Sequence, residues 1–136
     1  MKEDCIFCKL ANGVFPTNSV YEDDMFNVIM DISPAAKGHC LVICKEHYEN
    51  ALEASEAVLS KAFVLASKVA NAVKSTTGCD GINILQNNGK AAGQTVYHLH
   101  VHIIPRWDND GINLAPNSQD VDYDLGELAK QIGSNM

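Results

Sequence analysis

Short apolar runs separated by turn residues predict a set of β-strands along the chain. These runs lie within residues 19–31, 39–45, 81–86 and 96–106, and an acidic turn at 22–24 divides the first run into two strand pieces. The last run is expected to end at Pro105, because a proline has no N–H to donate to a strand ladder. The pattern therefore predicts about five strands.

A longer apolar pattern with helical spacing predicts one long helix between residues 50 and 77. Its apolar positions form a single stripe: Val58, Ala62, Leu65, Ala66, Val69, Ala70 and Val73. Ser55 is a suitable N-cap for this helix, and Gly78 is a suitable stop. A helix with one apolar stripe must bury it against a partner, and the predicted strands provide that partner.

Two shorter helices complete the predicted elements. The segment DCIFCKLANG is expected to form a short N-terminal helix that Asp4 caps and Gly13 ends, and residues 124–132 are expected to form another. Strands and helices do not alternate along the chain, so a parallel sheet is not expected. We expect a single α+β domain over residues 1–136, an antiparallel sheet covered by the long helix, with no clear pattern in the tail after about residue 112.

Composition and charge narrow the range of partners. Seventeen acidic residues against ten basic ones give a net charge of −7, which argues against a nucleic-acid partner, since that would need a basic face. No apolar run approaches the roughly 20 residues of a membrane span, and the N-terminus lacks the layout of a signal peptide. A cytoplasmic location is therefore expected, with the five cysteines as reduced thiols or metal ligands.

The most unusual feature is the strict alternation of three of the five histidines, at His98, His100 and His102. On one strand the three would share a face, and the outer two would lie about 13 Å apart, too far to bind one ion together. Imidazole can donate, accept or attack near neutral pH, so such a row can divide catalytic roles. The alternative is a histidine-rich polar face, or partly buried imidazoles bonded to backbone carbonyls.

The segment HLHVHII resembles the signature of the histidine triad (HIT) family of nucleotide hydrolases and transferases. The segments CIFCKLANGVFP, YEDDMFNVIMDISPAAKGHCLVICKEH and INILQNNGKAAGQTVYHLHVHIIPR are similar to bacterial members of its Hint-like branch. The resemblance implies a HIT-like fold with about five antiparallel strands, one long helix and a short N-terminal helix. It also implies cleavage of purine nucleoside 5'-monophosphoramidates, with release of AMP or GMP.

Two other functions remain open at this point. A hydrolase of dinucleoside polyphosphates is the alternative within the family, because the exit HIIPR is similar to that branch. The non-enzymatic alternative is a zinc-stabilised nucleotide-binding or interaction module without significant catalysis. No organic cofactor is expected for any of them.

Roles in catalysis follow from the same resemblance, position by position. His100 falls on the family's nucleophile, which forms a nucleotidyl-histidine intermediate. His102 is expected beside the phosphate, His39 is expected to support the ring of His100, and the hydroxyl of Thr95 is expected to help protonate the leaving group. A backbone carbonyl near the triad is expected to hold the Nδ1 proton of His100.

Substrate-binding positions are likewise implied. Asp31 matches a carboxylate that receives the ribose hydroxyls, although an aspartate after a strand is often only a turn residue. The expected phosphate-loop residues are Asn87, Gly93 and Gln94, and the expected walls of the base pocket, which by themselves also fit ordinary core positions, are Ile6, Phe7, Leu10, Ile29 and Ile32.

A second cluster of chemistry begins at the C-x-x-C of Cys5 and Cys8, which is half of a zinc site. His47 and His98 are the candidates for the missing ligands, as in bacterial relatives of this kind, and would complete a closed, structural zinc site. The alternative is two partly buried thiols and a surface histidine. The resemblance further implies a homodimer formed through the long helix and a strand.

Overall fold

The computed structural model describes all residues from Met1 to Met136 and shows one five-stranded antiparallel sheet. Its strands are β1 (Ser19–Glu22), β2 (Phe26–Met30), β3 (Cys40–Cys44), β4 (Gly81–Leu85) and β5 (His100–Arg106), arranged in the order β1-β2-β3-β5-β4. Every neighbouring pair of strands is antiparallel. The expected α+β architecture is confirmed.

The central strand β3 is buried on both faces, which explains its continuous run of apolar residues. Cys40, Val42 and Cys44 belong to the main core beneath the long helix. Leu41 and Ile43 point to the opposite face, into a second, smaller core. The sheet therefore separates two layers, a large apolar core on one side and a smaller core on the other.

The long helix α2 (Glu56–Thr77) covers the main core. It begins where predicted, because the side chain of Ser55 accepts a hydrogen bond from the backbone N–H of Val58 at 3.3 Å. It ends at Gly78, whose φ of 67° is the left-handed conformation that glycine adopts without a Cβ penalty. All but one of the predicted stripe residues are buried, and Leu65 is half-buried against the same core.

The short N-terminal helix α1 (Ile6–Ala11) lies on the other face of the sheet, where Phe7 and Leu10 pack against the smaller core. Its predicted cap is wrong. The N-cap is Cys5 rather than Asp4, because the sulfur of Cys5 accepts from the N–H of Cys8, and the C-cap is Asn12 rather than Gly13.

Two expectations about the histidine strand are also wrong. The strand does not end at Pro105, which pairs with Ile82 of β4. Proline is tolerated there because pairing with β3 stops at Ile103, so no ladder bond to β3 is lost. The strand also begins only at His100, so His98 lies in the irregular segment just before it.

The C-terminal region departs from the sheet through a turn that Arg106 stabilises. Its guanidinium donates to both carboxylate oxygens of Asp110, at 2.8 and 3.0 Å. An extended segment follows, and then a helix, α3 (Leu125–Ser134), which has no buried residue. This helix confirms the expected one near residues 124–132. None of the helices is long and apolar enough to cross a membrane.

Candidate active site and adjoining metal centre

A cavity of about 690 Å³ opens on the sheet face that carries α1. His100 and His102 from β5 form part of its wall, and Asp31 and Thr95 enter from the loops at its rim. A groove of about 750 Å³ between α2 and the β1–β2 turn is larger, but its lining contains neither histidine nor cysteine. The smaller cavity is therefore the candidate active site.

Most residues predicted for catalysis and substrate binding line this cavity: Ile6, Phe7, Leu10, Ile29, Asp31, Ile32, Thr95, His100 and His102. Four predicted residues lie outside the lining: His39, Asn87, Gly93 and Gln94. Pro16, Thr17 and Asn18, which the sequence analysis missed, also contribute to the wall. They precede β1 without a recognisable motif, and only the fold brings them there.

The ring of His100 is held in one tautomer by the backbone. Its Nδ1 lies 2.6 Å from the carbonyl oxygen of His98, and a carbonyl can only accept, so Nδ1 must carry the proton. The lone pair of the neutral ring is then on Nε2. Burial lowers the pKa of His100, which favours this neutral, nucleophilic form. The sequence predicted a carbonyl in this role but could not identify it as that of His98.

His39 supports a different ring from the one predicted. Its Nδ1 accepts from the backbone N–H of Ala35 at 3.0 Å, so the proton of its neutral ring is on Nε2. That Nε2 lies 2.9 Å from Nδ1 of His102 and therefore donates to it. His102 in turn carries its own proton on Nε2. The expectation that His39 supports His100 is wrong, because the register of β3 against β5 places His39 beside His102.

These hydrogen bonds agree with the electrostatics of the buried imidazoles. Burial, together with the neighbouring rings of His100 and His39, lowers the pKa of His102 to about 4. Burial also lowers the pKa of His39, against the opposing effect of Asp31. At neutral pH both rings are therefore uncharged, and the chain of donors from Ala35 to His102 is intact.

Asp31 sits between the histidines and the mouth of the cavity. One carboxylate oxygen accepts from the N–H of Ser33 at 2.8 Å, and the other lies 3.5 Å from Nε2 of His39. Asp31, His39 and His102 offer ligand atoms within 4.8 Å of one another. Because the two imidazoles already bond to each other, no ion is needed to satisfy them. The second carboxylate oxygen remains available to a ligand.

The side chain of Gln94 holds together the loop before β5 and does not face the cavity. The buried Gln94 amide accepts from the N–H of Gly89 at 2.7 Å and donates to the carbonyls of Glu49 and Val96. Its backbone N–H also donates to Gly89. The expectation that Gln94 contacts the substrate therefore disagrees with its place in the loop: it holds the loop together.

Thr95 follows Gln94 and is exposed to the cavity. Neither its hydroxyl nor its backbone N–H has a hydrogen-bond partner within the protein, so both are free to meet a ligand. The amide of Asn87 lies close to Gly93, whose φ of 90° is left-handed, and an added Cβ there would be 3.6 Å from the Asn87 nitrogen. Asn87 therefore stands behind the loop and outside the cavity lining.

The four predicted metal ligands converge on one point beside the active site. Cys5, Cys8, His47 and His98, together called the metal centre below, place their ligand atoms within 4.8 Å of one another. The sulfur of Cys8 is 3.3 Å from Nδ1 of His47 and 3.4 Å from Nδ1 of His98, and the two imidazole nitrogens are 3.1 Å apart.

The chemistry of this donor set suits a metal ion. His98 is buried, and its Nε2 lies 2.6 Å from the carbonyl of Cys44, so that nitrogen holds the proton and Nδ1 presents its lone pair to the centre. Burial lowers the pKa of His98 to about 4, which keeps the ring unprotonated. Two sulfurs and two imidazoles form the ligand set of a closed tetrahedral site. The four residues therefore form a candidate metal site.

Fold and site together define a class of protein: an antiparallel sheet that presents alternating histidines to a cavity of ligand size. The family model described as "HIT domain" matches residues 12–109 of this chain. The chain belongs to the HIT family, as the resemblance of HLHVHII and the flanking segments implied.

Two relatives have named activities. The adenosine 5'-monophosphoramidase HNT1 of Saccharomyces cerevisiae is 37% identical over 130 residues, which cover 94% of this chain and 80% of the yeast protein. The adenylylsulfatase HINT3 of Arabidopsis thaliana is 42% identical over 110 residues, covering 81% of this chain and 56% of the plant protein. The family thus includes nucleotide hydrolases.

Solved structures agree with the fold. SMU.412c from Streptococcus mutans is 42% identical and superposes with a TM-score of 0.93, covering 99% of this chain and 87% of that one. A zinc-bound histidine triad family protein from Mycobacterium smegmatis is 31% identical, with a TM-score of 0.77 and coverage of 98% of both chains. The expected HIT-like fold is therefore confirmed.

Proposed function

We propose that the protein hydrolyses purine nucleoside 5'-monophosphoramidates at the phosphorus–nitrogen bond and releases AMP or GMP. One observation carries the proposal. The backbone directs the lone pair of His100 to Nε2, on a ring that lines a cavity with a carboxylate at one side and a free hydroxyl at the other. Such a ring nitrogen can attack phosphorus, and covalent catalysis then divides one displacement into two easier steps.

In the first step Nε2 of His100 forms a bond to the α-phosphorus as the phosphorus–nitrogen bond breaks. His102 presents an N–H on Nε2, fixed by its bond from His39, and this N–H donates to a phosphate oxygen. The free hydroxyl of Thr95 can pass its proton to the departing amine, and the water that attacks in the second step returns a proton to it. In the second step water attacks the nucleotidyl-histidine, and the bond to His100 breaks to release the nucleotide.

The rest of the cavity suits a nucleoside. The free carboxylate oxygen of Asp31 can accept from ribose hydroxyls. The apolar side chains of Ile6, Phe7 and Ile29 line the cavity and offer the base a flat apolar slot. Few polar groups lie in that slot, so we expect a preference for purines on grounds of stacking area, without sharp discrimination between adenine and guanine.

The yeast phosphoramidase supports the phosphoramidate as substrate, and the plant adenylylsulfatase supports a related one, the anhydride of AMP with sulfate. Phosphoramidates, phosphosulfates and dinucleoside polyphosphates are all cleaved by attack on the α-phosphorus of a nucleotide. The three substrate classes differ in the leaving group. The leaving group that the enzyme accepts therefore distinguishes the three hydrolase activities.

The test measures release of AMP from adenosine 5'-phosphoramidate, adenosine 5'-phosphosulfate and diadenosine tetraphosphate, with wild type and His100→Ala. We expect the phosphoramidate to be cleaved fastest and the variant to lose activity by on the order of 10⁴-fold. Mass spectrometry of protein quenched during turnover should show one added nucleotidyl group, absent from His100→Ala.

Two results would redirect the proposal. Faster cleavage of the phosphosulfate or the tetraphosphate would assign the protein to those hydrolases. Binding of AMP without His100-dependent cleavage of any of the three would leave only the nucleotide-binding module.

We further propose zinc as the ion of the metal centre, because two thiolates and two imidazoles select zinc over harder cations. The M. smegmatis protein, which is zinc-bound, supports this choice. Elemental analysis of protein purified without chelator should find about one zinc per chain. A zinc content near zero, with no uptake from added zinc, would contradict it.

A homodimer is the proposed assembly. Phe63 and Val64 on the long helix α2 and Ile84 on the edge strand β4 are exposed apolar side chains that a second chain could cover. Light scattering should give the mass of two chains for the wild type and of one for Phe63→Glu. A single-chain mass for the wild type would refute this assembly. The cytoplasmic location and the absence of a nucleic-acid partner stay predictions.

A further inference from the structure

One residue, His98, belongs to both the metal centre and the active site. Its Nδ1 points at the sulfurs of Cys5 and Cys8, at 3.4 Å from each. Its carbonyl oxygen, on the same residue, accepts the proton of His100 Nδ1 at 2.6 Å. An ion that holds the imidazole of His98 would therefore restrain the same residue whose carbonyl sets the tautomer of the nucleophile.

The geometry points to a second function of the metal centre: an ion bound there positions the nucleophile and one wall of the nucleotide pocket, so metal occupancy controls nucleotide binding. This inference rests on the proposed function of the same cavity. The named connections are the carbonyl of His98 and the ring of Phe7.

The first connection is sensitive because His98 lies outside the sheet. It precedes β5, and the peptide that joins it to Leu99 is held by one backbone hydrogen bond, from the Leu99 N–H to the carbonyl of Tyr48 at 2.7 Å. Tyr48 is the residue after the ligand His47, and the imidazole of His98 is held by the metal centre on one side and the carbonyl of Cys44 on the other. An ion on Nδ1 would therefore fix the orientation of the residue.

The second connection runs through Phe7, which lies between Cys5 and Cys8 in the sequence. Its ring meets that of His100 edge-on, with centroids 4.8 Å apart, and that of His98 at 6.2 Å. Phe7 also lines the cavity. The ion's two sulfur ligands thus flank the side chain that contacts the nucleophile.

The helix that carries this wall is short and has few anchors besides the metal centre. Helix α1 has six residues, far fewer than the roughly 12–15 at which an isolated helix becomes marginally stable. Its N-cap is the sulfur of Cys5, and its apolar contacts are with the smaller core only. The main core beneath α2 contains no residue of α1.

Loss of the ion should therefore loosen the pocket, while the rest of the fold stays intact. An ion would join three segments distant in sequence: the start of α1, the loop after β3 at His47, and the residue before β5. Removing that link frees α1 and His98, whereas α2 and the sheet keep their own core.

The experiment compares the full chain loaded with zinc, the same protein stripped by a chelator, and Cys5→Ser. Serine still accepts a hydrogen bond at a helix N-cap but is a poor zinc ligand, so this variant separates the metal effect from the capping effect. Cys79→Ser is the matched control, because Cys79 is buried outside the metal centre and the cavity.

Three quantities are read: AMP affinity by calorimetry, the Nδ1 proton signal of His100 by nuclear magnetic resonance, and helix content by circular dichroism. We expect AMP affinity to fall about tenfold or more in the stripped protein and in Cys5→Ser. The His100 proton signal should broaden or vanish in both, with the helix content of α2 retained. Added zinc should restore the stripped protein, and Cys79→Ser should match the wild type.

Equal AMP affinity and an unchanged His100 signal with and without zinc would overturn the inference. Complete unfolding of the stripped protein would also overturn it, because the ion would then support the whole fold and not the pocket. The outcome is separable from that of the proposed function. Metal-dependent AMP binding without phosphoramidate cleavage would refute only the function, and metal-independent cleavage would refute only this inference.

Discussion

The half-buried imidazole of His102 predicts that the protein loses stability as the pH falls below neutral. The perturbation is a change from about pH 7 to about pH 4, applied to the wild type and to His102→Gln. Glutamine retains one acceptor for the bond from His39 and one donor for a phosphate, but it does not titrate. Any difference between the two proteins in their dependence on pH therefore reports the titration of His102.

The sign and size follow from the pKa. In the folded protein the pKa of His102 is lowered to about 4 by burial and by the rings of His100 and His39, whereas in the unfolded chain it is near 6.5. Between these values the unfolded chain binds the proton and the folded protein does not. The stability that the neutral ring provides above pH 6.5 is therefore lost progressively, and near pH 4 the loss reaches ~3 kcal/mol.

That loss is a large part of the 5–15 kcal/mol over which small domains are usually stable. Urea unfolding at a series of pH values, with metal occupancy equal in both proteins, measures it. The free energy of unfolding of His102→Gln should fall less steeply with acid, by ~3 kcal/mol over the whole range. Parallel curves for the two proteins would show that His102 is not held neutral by the folded structure and would refute the reasoning.

The remaining predictions concern stability and the active-site loop. Gly38→Ala should cost ~2 kcal/mol or more, because φ is +100° and the new Cβ would lie 2.9 Å from Thr77. Gly78→Ala, at a φ of +67° with open space around the new Cβ, should cost ~1 kcal/mol. Equal decreases in melting temperature for Gly38→Ala and Gly78→Ala would contradict this difference in cost. Ser55→Ala should cost ~1 kcal/mol in urea unfolding, recovered by Ser55→Asp, and no loss would mean the cap is dispensable. Gln94→Leu should cost ~2–3 kcal/mol and lower kcat/KM, since it leaves buried partners unsatisfied; unchanged kinetics would mean that the loop needs no such support.

The long helix was predictable almost to the residue because its determinants are local. Ser55 caps it, Gly78 ends it, and the stripe between them has the helical period that buries one face. The strands were predictable for the same reason, and the family implied by the resemblance is confirmed over residues 12–109. The end of β5 was predicted wrongly, since whether Pro105 interrupts a sheet depends on which strands flank it.

The partner of His39 was predicted wrongly because the two rings are 63 residues apart in the sequence. The pairing of Leu41 with His102 fixes where His39 lies, and no local pattern specifies that register. Gln94 illustrates the same limit: the resemblance placed it among the phosphate-loop residues, and only the folded loop shows that its side-chain amide and its backbone N–H are bonded within the protein.

By itself the sequence predicted most of the secondary structure, because helix caps and apolar periods depend on neighbours within a few positions, and its resemblance to the family supplied the candidate residues for catalysis and metal binding. Only the tertiary structure decided which nitrogen of each imidazole carries its proton, which ring His39 supports, and that His98 joins the metal centre to the nucleophile. These properties depend on hydrogen bonds between segments brought together by strand register, and a tautomer is set by the partner atom that the fold places against the ring.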